Sequence, residues 1–392
     1  MTRHIAVGID IGSYQIKVVV AESDPQTNTP RIIGTGIAES KGLRHGYIMN
    51  ASEVVRSIKK AAAQAEKTSG IKIKKAFLAI GGVGLTGNVC QGAVMVSRGD
   101  SEITDLDVKK VQEVCEAEIP PAFSLNRKII HTIPIAYRID SRTVMGRPQG
   151  MKGLKLETRI LFVSALEQHL NDLIAAVGDA GIIVEDVMAA PIAASLVTLN
   201  KAQKVAGVVL ANIGAETVSI VVFENDVPIS LEVFPIGSND ITNDIALGLK
   251  IPLEEAEKVK TGSNGSSYPR KKLEEIIGAR LSDIFELIDS HLKKINRNGM
   301  LPAGIVITGG GSGTVSIEDQ AKDTLKLPSR IADLVADGAP RTQIKDSMWS
   351  VAYGLCIFGL NAGDHDGYRA GNIIKFNKIW QKGWKWIQQF LP

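Results

Sequence analysis

The sequence contains few cysteines, few aromatic residues and no long apolar run. Three cysteines are scattered among 392 residues, and this odd number disfavours a disulfide framework or a zinc site. It is instead typical of a protein kept in a reducing cytoplasm. No stretch of 18 apolar residues occurs, so we expect no transmembrane helix. The N-terminal apolar run contains Asp10, which favours a strand over a signal peptide.

The charge balance is also close to even. The chain has 45 basic and 42 acidic residues, a net charge of +3, which does not indicate nucleic-acid binding. The six histidines show no metal-ligand spacing. With 44% hydrophobic residues, the chain is long and apolar enough to form two or more domains with a buried core.

One β pattern occurs twice, about half a chain apart. Residues 4–20 (HIAVGIDIGSYQIKVVV) and 205–223 (VAGVVLANIGAETVSIVVF) each contain an apolar run, a polar residue with Ile-Gly, a short turn and a second apolar run. Asp10 corresponds to Asn212 in this alignment. The repeat predicts a hairpin in each half and a duplicated, two-lobed α/β protein with a cleft between the lobes.

Helical patterns separate these strands. They predict helices at 51–70, 166–181, 186–200 and 269–296. Residues 83–164 differ, because a helical pattern at 102–118 is flanked by what look like short alternating strands, as in 128–140. This region is predicted to be a small inserted α+β unit. Residues 361–371 are rich in Gly and Asp and predict a hinge.

Three glycine-containing turns follow or join the β runs: Gly12-Ser13, Gly214-Ala215 and Gly309 to Gly311. Glycine allows backbone N–H groups to approach a phosphate, and an Asp beside such a turn can hold Mg²⁺ through water. Lys17 is close enough in sequence to reach a phosphate. One such turn is usually only a bend, whereas three in a duplicated arrangement favour a phosphate site. Neither a P-loop nor a dinucleotide-binding fingerprint is present.

Further motifs make the chain resemble FtsA, the family of actin-like bacterial cell-division proteins. They include VGIDIGSYQIKVVV, KGLRHGYIMN, GMKGLKLETRI, FPIGSNDITNDIALGL and LPAGIVITGGGS, in the family's order. The resemblance implies an actin-like α/β fold with duplicated ATPase-core lobes around a nucleotide cleft, an inserted α+β subdomain in the first lobe and a C-terminal amphipathic helix. The implied divisions are a first-lobe core at 1–82, 165–198 and 345–360, the insertion at 83–164, a second-lobe core at 199–236 and 301–344, an outer subdomain at 237–300, a flexible linker at 361–371 and a membrane-targeting helix at 372–392.

The same resemblance implies ATP and Mg²⁺ as ligands and assigns residues to them. These are Asp10, Gly12, Ser13 and Lys17 in the first phosphate region, with Asp10 facing the metal; Gly214 in the second; Gly237 and Asn239 in the next turn; Glu257 and Lys260 beside the nucleoside; and Gly309, Gly310, Gly311 and Ser312 along the nucleotide. From residue type alone, Glu257 and Lys260 would be read as a solvated helix face.

The second hairpin departs from the family's usual Asp-Ile-Gly-Gly-Gly-Thr. Asn212 replaces a carboxylate with an amide, Ala215 replaces a glycine, and Glu216 adds a negative charge that repels a γ-phosphate. Asp240 stands where the family usually has His or another non-acidic residue. One hypothesis is that nucleotide binding is weakened or altered, with ATP hydrolysis slow or absent. The alternative is that Glu216 points away and the backbone still binds ATP.

The C-terminal segment is strongly amphipathic when wound as a helix over 373–391. One side carries Phe376, Ile379, Trp380, Trp384, Trp386, Ile387, Phe390 and Leu391, and the other carries Lys375, Lys378, Lys382 and Lys385. An apolar face with interfacial tryptophans opposite a basic face is typical of a helix that lies on an anionic membrane. The alternative is a helix that docks on the protein's own body or on a partner. The family resemblance favours membrane binding.

The function implied by the resemblance is that of a filament-forming adaptor. It would bind the C-terminal peptide of FtsZ on 237–300, attach FtsZ filaments to the cytoplasmic face of the cell membrane at the division septum and recruit other division proteins. An alternative is a PilM-like adaptor of type IV pilus assembly, which needs no amphipathic tail. A metabolic kinase on the same fold is disfavoured, because no sugar-kinase substrate motif is present and Asn212 and Glu216 replace residues that such chemistry needs.

Overall fold

The fold contains three main sheets and the helices that cover them. The computed structural model describes residues 4–23, 29–97, 99–262, 268–334 and 346–363. Its strands are β1 (Ile5–Ile11), β2 (Gln15–Ser23), β3 (Pro30–Glu39), β4 (Leu43–Arg44), β5 (Tyr47–Ile48), β6 (Lys75–Ile80), β7 (Leu85–Met95), β8 (Arg127–Ile139), β9 (Arg142–Val144), β10 (Lys155–Leu166), β11 (Ile183–Ala189), β12 (Val208–Ile213), β13 (Val218–Glu224), β14 (Val227–Phe234), β15 (Ile305–Thr308) and β16 (Ser329–Ile331). Its helices are α1 (Ala51–Ser69), α2 (Asp105–Ala117), α3 (Pro121–Ser124), α4 (Glu167–Asp179), α5 (Ala190–Thr198), α6 (Lys201–Ala206), α7 (Ser238–Leu249), α8 (Leu253–Lys260), α9 (Arg270–Lys294), α10 (Ile317–Leu325) and α11 (Ser350–Gly363).

Two five-stranded sheets have the same topology. The first, in the order β3-β2-β1-β6-β11, has an antiparallel meander β1-β2-β3 followed by the parallel strands β6 and β11. The second, in the order β14-β13-β12-β15-β16, repeats this arrangement strand for strand. We call the parts of the chain built on these sheets the first and second lobes. The predicted duplication of an α/β core is therefore confirmed.

Alternating burial explains how the lobes pack together. In β12, Val208 and Leu210 belong to a core shared with the first lobe, whereas Val209 and Ala211 belong to a second core on the opposite face of the sheet. Helix α5 lies between the two sheets, since it contacts α11 as well as β12 and β13. Helix α9 covers the far side of the second lobe. Both sheets are thus buried on both faces, as their nearly continuous apolar strands predict.

The inserted unit is a four-stranded antiparallel sheet, β7-β10-β8-β9, against which α2 packs. Strand β7 also lies against β14 of the second lobe. The strand pattern predicted at 128–140 forms β8 (Arg127–Ile139), which is longer than the short strands expected in this region. Pro134, which lacks an N–H donor, pairs with Ile160 where the register shifts, so a bulge accommodates the proline without ending the strand.

The helix predicted at 186–200 begins later than expected. Residues up to Ala189 pair in parallel with β6, and α5 starts at Ala190 with Pro191 in its first turn. A proline is favoured there because its missing N–H would have no intrahelical acceptor. The apolar run could not distinguish a buried strand from a buried helix, so its first residues were wrongly predicted as helical.

Helix α11 includes the first three residues of the predicted linker at 361–371. The rest of that linker and the predicted amphipathic helix at 372–392, with all its membrane-binding residues, lie outside the described residues. Within the part of the chain that the structure describes, no helix is long and apolar enough to cross a membrane.

Candidate nucleotide site

The two repeated hairpins have the same backbone turn. The N–H of Gly12 donates to the carbonyl of Gln15 at 3.2 Å, and the N–H of Gly214 donates to the carbonyl of Thr217 at 2.8 Å. A Cβ at Gly12 would lie 2.9 Å from the Gln15 oxygen, and one at Gly214 would lie 3.0 Å from the Thr217 oxygen. Each turn therefore needs its glycine for the same steric reason. The turns follow β1 and β12, the corresponding strands of the two sheets.

The first hairpin carries a buried charged pair. Asp10 faces Lys17 across β1 and β2, with Lys17 Nζ 3.9 Å from Asp10 Oδ2. Burial raises the pKa of Asp10, and the ammonium of Lys17 lowers it in part. A divalent cation bound nearby would favour the carboxylate further. The donor chemistry of Asp10 therefore fits the predicted magnesium role, and Ser13 lies in the adjoining turn.

The second hairpin has a neutral pair in the same positions. Asn212 faces Ser219, in the register that Asp10 and Lys17 occupy in the first lobe. The amide oxygen of Asn212 would be 2.4 Å from a Cβ at Gly309, so the two residues are in close contact. The second hairpin therefore brings no carboxylate from its strand and no lysine to the site.

The turn at Gly237 and Asn239 lies directly on the second hairpin. The N–H of Ser238 donates to the Gly214 carbonyl at 2.9 Å, and the N–H of Asn239 donates to the Ala215 carbonyl at 2.8 Å. A Cβ at Gly237 would be 2.4 Å from that Ala215 oxygen, which excludes any larger residue without movement. The structure thus brings the predicted second phosphate region and the following turn together.

Asp240 has a structural role that explains its departure from the family pattern. Its Oδ2 accepts a hydrogen bond from the N–H of Gly237 at 2.8 Å. It lies in the first turn of α7, where a carboxylate is stabilised by the unpaired N–H groups of the helix. Asp240 therefore fixes the Gly237 turn from within the helix.

The glycine turn after β15 completes this group of loops. Gly309 has φ +92°, a conformation that L side chains rarely adopt, and a Cβ there would also lie 2.5 Å from the Ile213 carbonyl oxygen. A Cβ at Gly311 would lie 2.6 Å from Ile213 Cγ2. At Gly310, by contrast, no heavy atom lies within 4 Å of an added Cβ. Gly309 and Gly311 therefore pack against the second hairpin, and Gly310 faces open space.

Ser312 is buried and bonded within the protein. Its hydroxyl donates to the Gly309 carbonyl at 2.7 Å and lies 2.8 Å from the hydroxyl of Ser347. Thr308 reinforces this junction, since its hydroxyl donates to the Ser347 carbonyl at 3.0 Å and lies 2.9 Å from the hydroxyl of Ser350. Ser312 thus connects the glycine turn to the start of α11, and its hydroxyl already has partners.

Lys260 is buried, so the expectation of a solvated helix face was wrong for this residue. Its ammonium donates to the Ser238 carbonyl at 3.2 Å, the Thr242 hydroxyl at 2.9 Å and Glu257 Oε2 at 2.7 Å. Burial lowers its pKa, and the bond to Glu257 opposes this shift. The Thr242 hydroxyl also donates to Glu257 Oε2, at 2.6 Å. An ammonium has three donors, so Lys260 supports α7 and the Gly237 turn and Glu257 is its half-exposed partner.

Glu216 points across to the first lobe. Its Oε2 accepts a hydrogen bond from the backbone N–H of His45 at 2.5 Å, and the Nδ1 of His45 lies 3.3 Å from the Glu216 carbonyl oxygen. Sequence reasoning assigned no role to His45, although it lies in the motif KGLRHGYIMN that the family resemblance rests on. The backbone of His45 has a left-handed φ of 48°, and its N–H donates to the other lobe. The sequence His-Gly alone predicts neither feature.

The strand ends of the first sheet bring few acidic groups to the site. Strands β1, β6 and β11 are parallel, so their carboxyl ends lie along one edge. β1 ends with Asp10 and Ile11, Gly81 follows β6, and β11 leads into Ala190 and Pro191. Within the described residues, no group of three or more His, Cys, Asp or Glu side chains could hold a metal ion. Metal binding here would depend on Asp10 together with a ligand's phosphates.

Two lobes built on sheets of one topology, with a phosphate-type hairpin in each and an α+β insertion in the first, define the actin-like class of folds. Among solved structures, the PilM–PilN type IV pilus biogenesis complex matches 91% of this chain and 98% of its own with a TM-score of 0.67, at 18% sequence identity. The ethanolamine utilization protein EutJ from Carboxydothermus hydrogenoformans matches with a TM-score of 0.54 at 14% identity. At these identities the likeness shows the fold alone.

The chain belongs to the FtsA family of bacterial cell-division proteins. The family model described as cell division protein FtsA matches residues 209–354, and that of the SHS2 domain inserted in FtsA matches 83–164. FtsA of Bacillus subtilis is 31% identical, with 94% of this chain and 86% of the relative aligned. FtsA of Pseudomonas aeruginosa is 27% identical, with 90% and 89% aligned. The pilus protein is therefore a structural relative, and the prediction of an actin-like cell-division protein is confirmed.

Proposed function

We propose that this chain binds ATP with Mg²⁺ between its two glycine hairpins and acts as a filament-forming adaptor that attaches FtsZ filaments to the cytoplasmic face of the cell membrane at the septum. The observation that carries the nucleotide part is the pair of equivalent turns at Gly12 and Gly214, which follow corresponding strands of two duplicated sheets. Because neither turn carries a Cβ at its glycine, a phosphate oxygen can approach the backbone of both turns closely.

Some of these residues are proposed to contact the nucleotide, and others hold the nucleotide-binding loops in position. In this proposal Gly12, whose own N–H is bonded to Gln15, lets a phosphate oxygen approach the turn and Ser13 binds that oxygen. Asp10 holds Mg²⁺ through water and Lys17 neutralises phosphate charge. Gly310 presents its open face to the nucleotide. The ammonium of Lys260 and the hydroxyl of Ser312 already have protein partners, so these two residues position the loops. Glu257, which is half-exposed on α8, is the proposed contact with the nucleoside.

ATP hydrolysis is expected to be slow or absent. Activation of a water needs a general base close to the γ-phosphate. The second hairpin offers the amide of Asn212 where the family usually has a carboxylate, and the carboxylate of Glu216 is bonded to His45. Asp10 is the carboxylate that the first-lobe strand ends supply, and in this proposal it serves the metal. Binding can therefore persist while the chemical step is lost.

The membrane and FtsZ parts of the proposal rest on the sequence and on family membership. The basic, tryptophan-containing segment at 373–391 has the pattern of an interfacial helix. A single lysine near an anionic leaflet contributes on the order of 1 kcal/mol, so four lysines and one apolar face are enough for reversible binding. The family's members are cell division proteins, and the partners we propose are the FtsZ C-terminal peptide, further copies of this chain and other division proteins.

Co-sedimentation with anionic vesicles tests the adaptor function. The full chain is expected to pellet with the vesicles and to carry FtsZ into the pellet. A variant that ends at Gly371 is expected to remain in the supernatant together with FtsZ. Trp380→Glu and Trp384→Glu, made together in the full chain, form a matched control that keeps all four lysines. If the full chain stays soluble, the tail docks elsewhere and the membrane proposal is wrong.

A further inference from the structure

A hydrogen bond between Glu216 and His45 joins the second phosphate hairpin to the first lobe. The carboxylate accepts from the His45 backbone N–H at 2.5 Å, and the histidine ring lies 3.3 Å from the carbonyl oxygen of Glu216 itself. Both residues are half-buried. A hydrogen bond from an N–H to an ionised carboxylate is stronger than one between neutral groups, especially where water is partly excluded. The contact therefore stabilises the approach of the two lobes at the site.

The first-lobe side of this contact rests on the base of the inserted unit. His45 and Gly46 form the turn between β4 and β5, and the N–H of Val83 donates to the His45 carbonyl at 3.3 Å. A Cβ at Gly46 would lie 2.7 Å from Gly82 Cα, and one at Gly82 would lie 2.8 Å from the His45 oxygen. The turn that receives Glu216 thus packs directly on the residues at which the chain enters the insertion.

A third contact fixes the same turn from the other side. The rings of Tyr47 and His169 lie 5.0 Å apart, and the Nε2 of His169 is 3.2 Å from the carbonyl oxygen of Gly81. Gly81 lies two residues before the insertion, and His169 belongs to α4, which follows it. The turn is therefore held rigidly in the first lobe, and a bond from Glu216 to this turn acts on the whole lobe.

We propose that Glu216 is a positioning residue that holds the second hairpin against the first lobe and so fixes the distance between the two lobes at this site. The assignment of these hairpins to nucleotide rests on the proposed function, but the interlobe contact itself does not. A glycine at this position, as the family usually has, would offer no side-chain acceptor. Glu216 then performs in the free protein part of the bridging that a nucleotide would otherwise supply.

The distance between the lobes tests this proposal. Spin labels at Lys59→Cys on α1 and Lys271→Cys on α9 report it by pulsed electron paramagnetic resonance, because both positions are exposed and the three native cysteines are buried. The labelled full chain is compared with Glu216→Ala, Glu216→Gln and His45→Gly in the same background. His45→Gly is the matched control, since it removes the ring but keeps the N–H donor and tolerates the left-handed backbone.

Without nucleotide, Glu216→Ala is expected to give a longer and broader distribution than the unsubstituted protein. Glu216→Gln should restore most of the difference, because its amide oxygen can accept the same bond, and His45→Gly should stay close to the unsubstituted protein. A merely structural residue would lower stability without changing this distance. Identical distributions for Glu216→Ala and the unsubstituted protein would overturn the proposal. If Glu216→Ala does not fold, Glu216→Gly, which restores the family's residue, replaces it. A longer and broader distribution for Glu216→Gly then supports the proposal, and an unchanged one overturns it.

Added ATP with Mg²⁺ separates this proposal from the proposed function. Nucleotide that bridges the hairpins should return Glu216→Ala to the narrow distribution. If no variant responds to ATP but the nucleotide-free difference remains, the positioning role stands and the nucleotide proposal fails. If all variants respond to ATP and their nucleotide-free distributions are identical, the positioning role fails and the nucleotide proposal stands.

Discussion

The two hairpins have the same backbone and different chemistry. Gly12 and Gly214 make the same turn, but Asp10 and Lys17 form a buried charged pair where Asn212 and Ser219 are neutral. The first hairpin can therefore interact with a cation and a phosphate through charge. The second relies on backbone N–H groups and on contacts with neighbouring loops. Duplication has preserved the steric requirement for glycine, whereas the side chains around it have diverged.

The supports of the two hairpins differ as well. The second hairpin is in contact with the Gly237 turn, with Gly309 and, through Glu216, with the first lobe. Its position depends on these neighbours, so changes in them should affect the second hairpin and leave the first intact.

Gly309→Ala is expected to disrupt the second hairpin's support most strongly. The added Cβ would lie 2.4 Å from Asn212 Oδ1, on a backbone with φ +92°. Strain and overlap together should lower the free energy of unfolding by about 3 kcal/mol. Gly310→Ala is the matched control, since nothing lies near its added Cβ. Chemical denaturation measures both, and equal stabilities for the two variants would contradict the packing described here.

Lys260→Met should have the next largest effect. It leaves the Ser238 carbonyl, the Thr242 hydroxyl and Glu257 without their shared donor. We expect a loss of about 2 kcal/mol in the free energy of unfolding, because a buried acceptor without a donor is costly while the half-exposed Glu257 is partly solvated. Lys258→Met on the exposed face of the same helix is the control. A Lys260→Met variant as stable as that control would show that the network is not stabilising.

Two buried histidines, one in the inserted unit and one in the second lobe, should make the protein less stable at acid pH. Burial lowers the pKa of His131 to about 3 and that of His291 to about 4. Neutral His131 accepts a hydrogen bond from the Ala189 N–H at 2.9 Å, and Nε2 of His291 lies 2.7 Å from the Ser230 hydroxyl. With folded pKa values below the ordinary 6.5, the unfolded state binds more protons, so each histidine makes the protein less stable as pH falls below about 6.5.

Each histidine should lower the free energy of unfolding by about 2 kcal/mol between pH 7 and pH 5. Asp186 acts in the opposite direction, because burial raises its pKa to about 6. We therefore compare the pH dependence of the free energy of unfolding in the unsubstituted protein, His131→Gln and His291→Gln. Each substitution should remove the loss of stability that its own histidine causes between pH 7 and pH 5. Curves that stay parallel from pH 7 to pH 5 would mean that these histidines are not buried in their neutral form.

Much of the fold could be predicted because the repeated pattern around Asp10 and Asn212 is local. The turn glycines, the strand runs and the amphipathic face of α9 are all visible in short windows of sequence. Family motifs supplied what periodicity could not, namely which segments of the chain form each lobe. The boundary between β11 and α5 was missed, because an uninterrupted apolar run fits a buried strand as well as a buried helix.

The site was less predictable, because its contacts join residues far apart in sequence. The sequence alone does not show that the ammonium of Lys260 bonds to the Ser238 carbonyl. Nor does it show that Glu216 bonds to His45, which lies 171 positions earlier. Residue type suggested a solvated lysine and a glutamate that repels phosphate. The fold instead gives each of them a partner, and Asp240 finds its own at Gly237.

An ATP titration with and without Mg²⁺ would show whether the first hairpin alone serves the metal. It compares the full chain with its Asp10→Asn and Asn212→Asp variants. If the first hairpin alone serves the metal, Mg²⁺ should tighten ATP binding by about tenfold, equivalent to about 1.4 kcal/mol, in the unsubstituted protein. Asp10→Asn should lose this enhancement, and Asn212→Asp, which leaves Asp10 and Lys17 in place, should keep it. Absence of ATP binding, or an enhancement that survives in Asp10→Asn, would contradict the account.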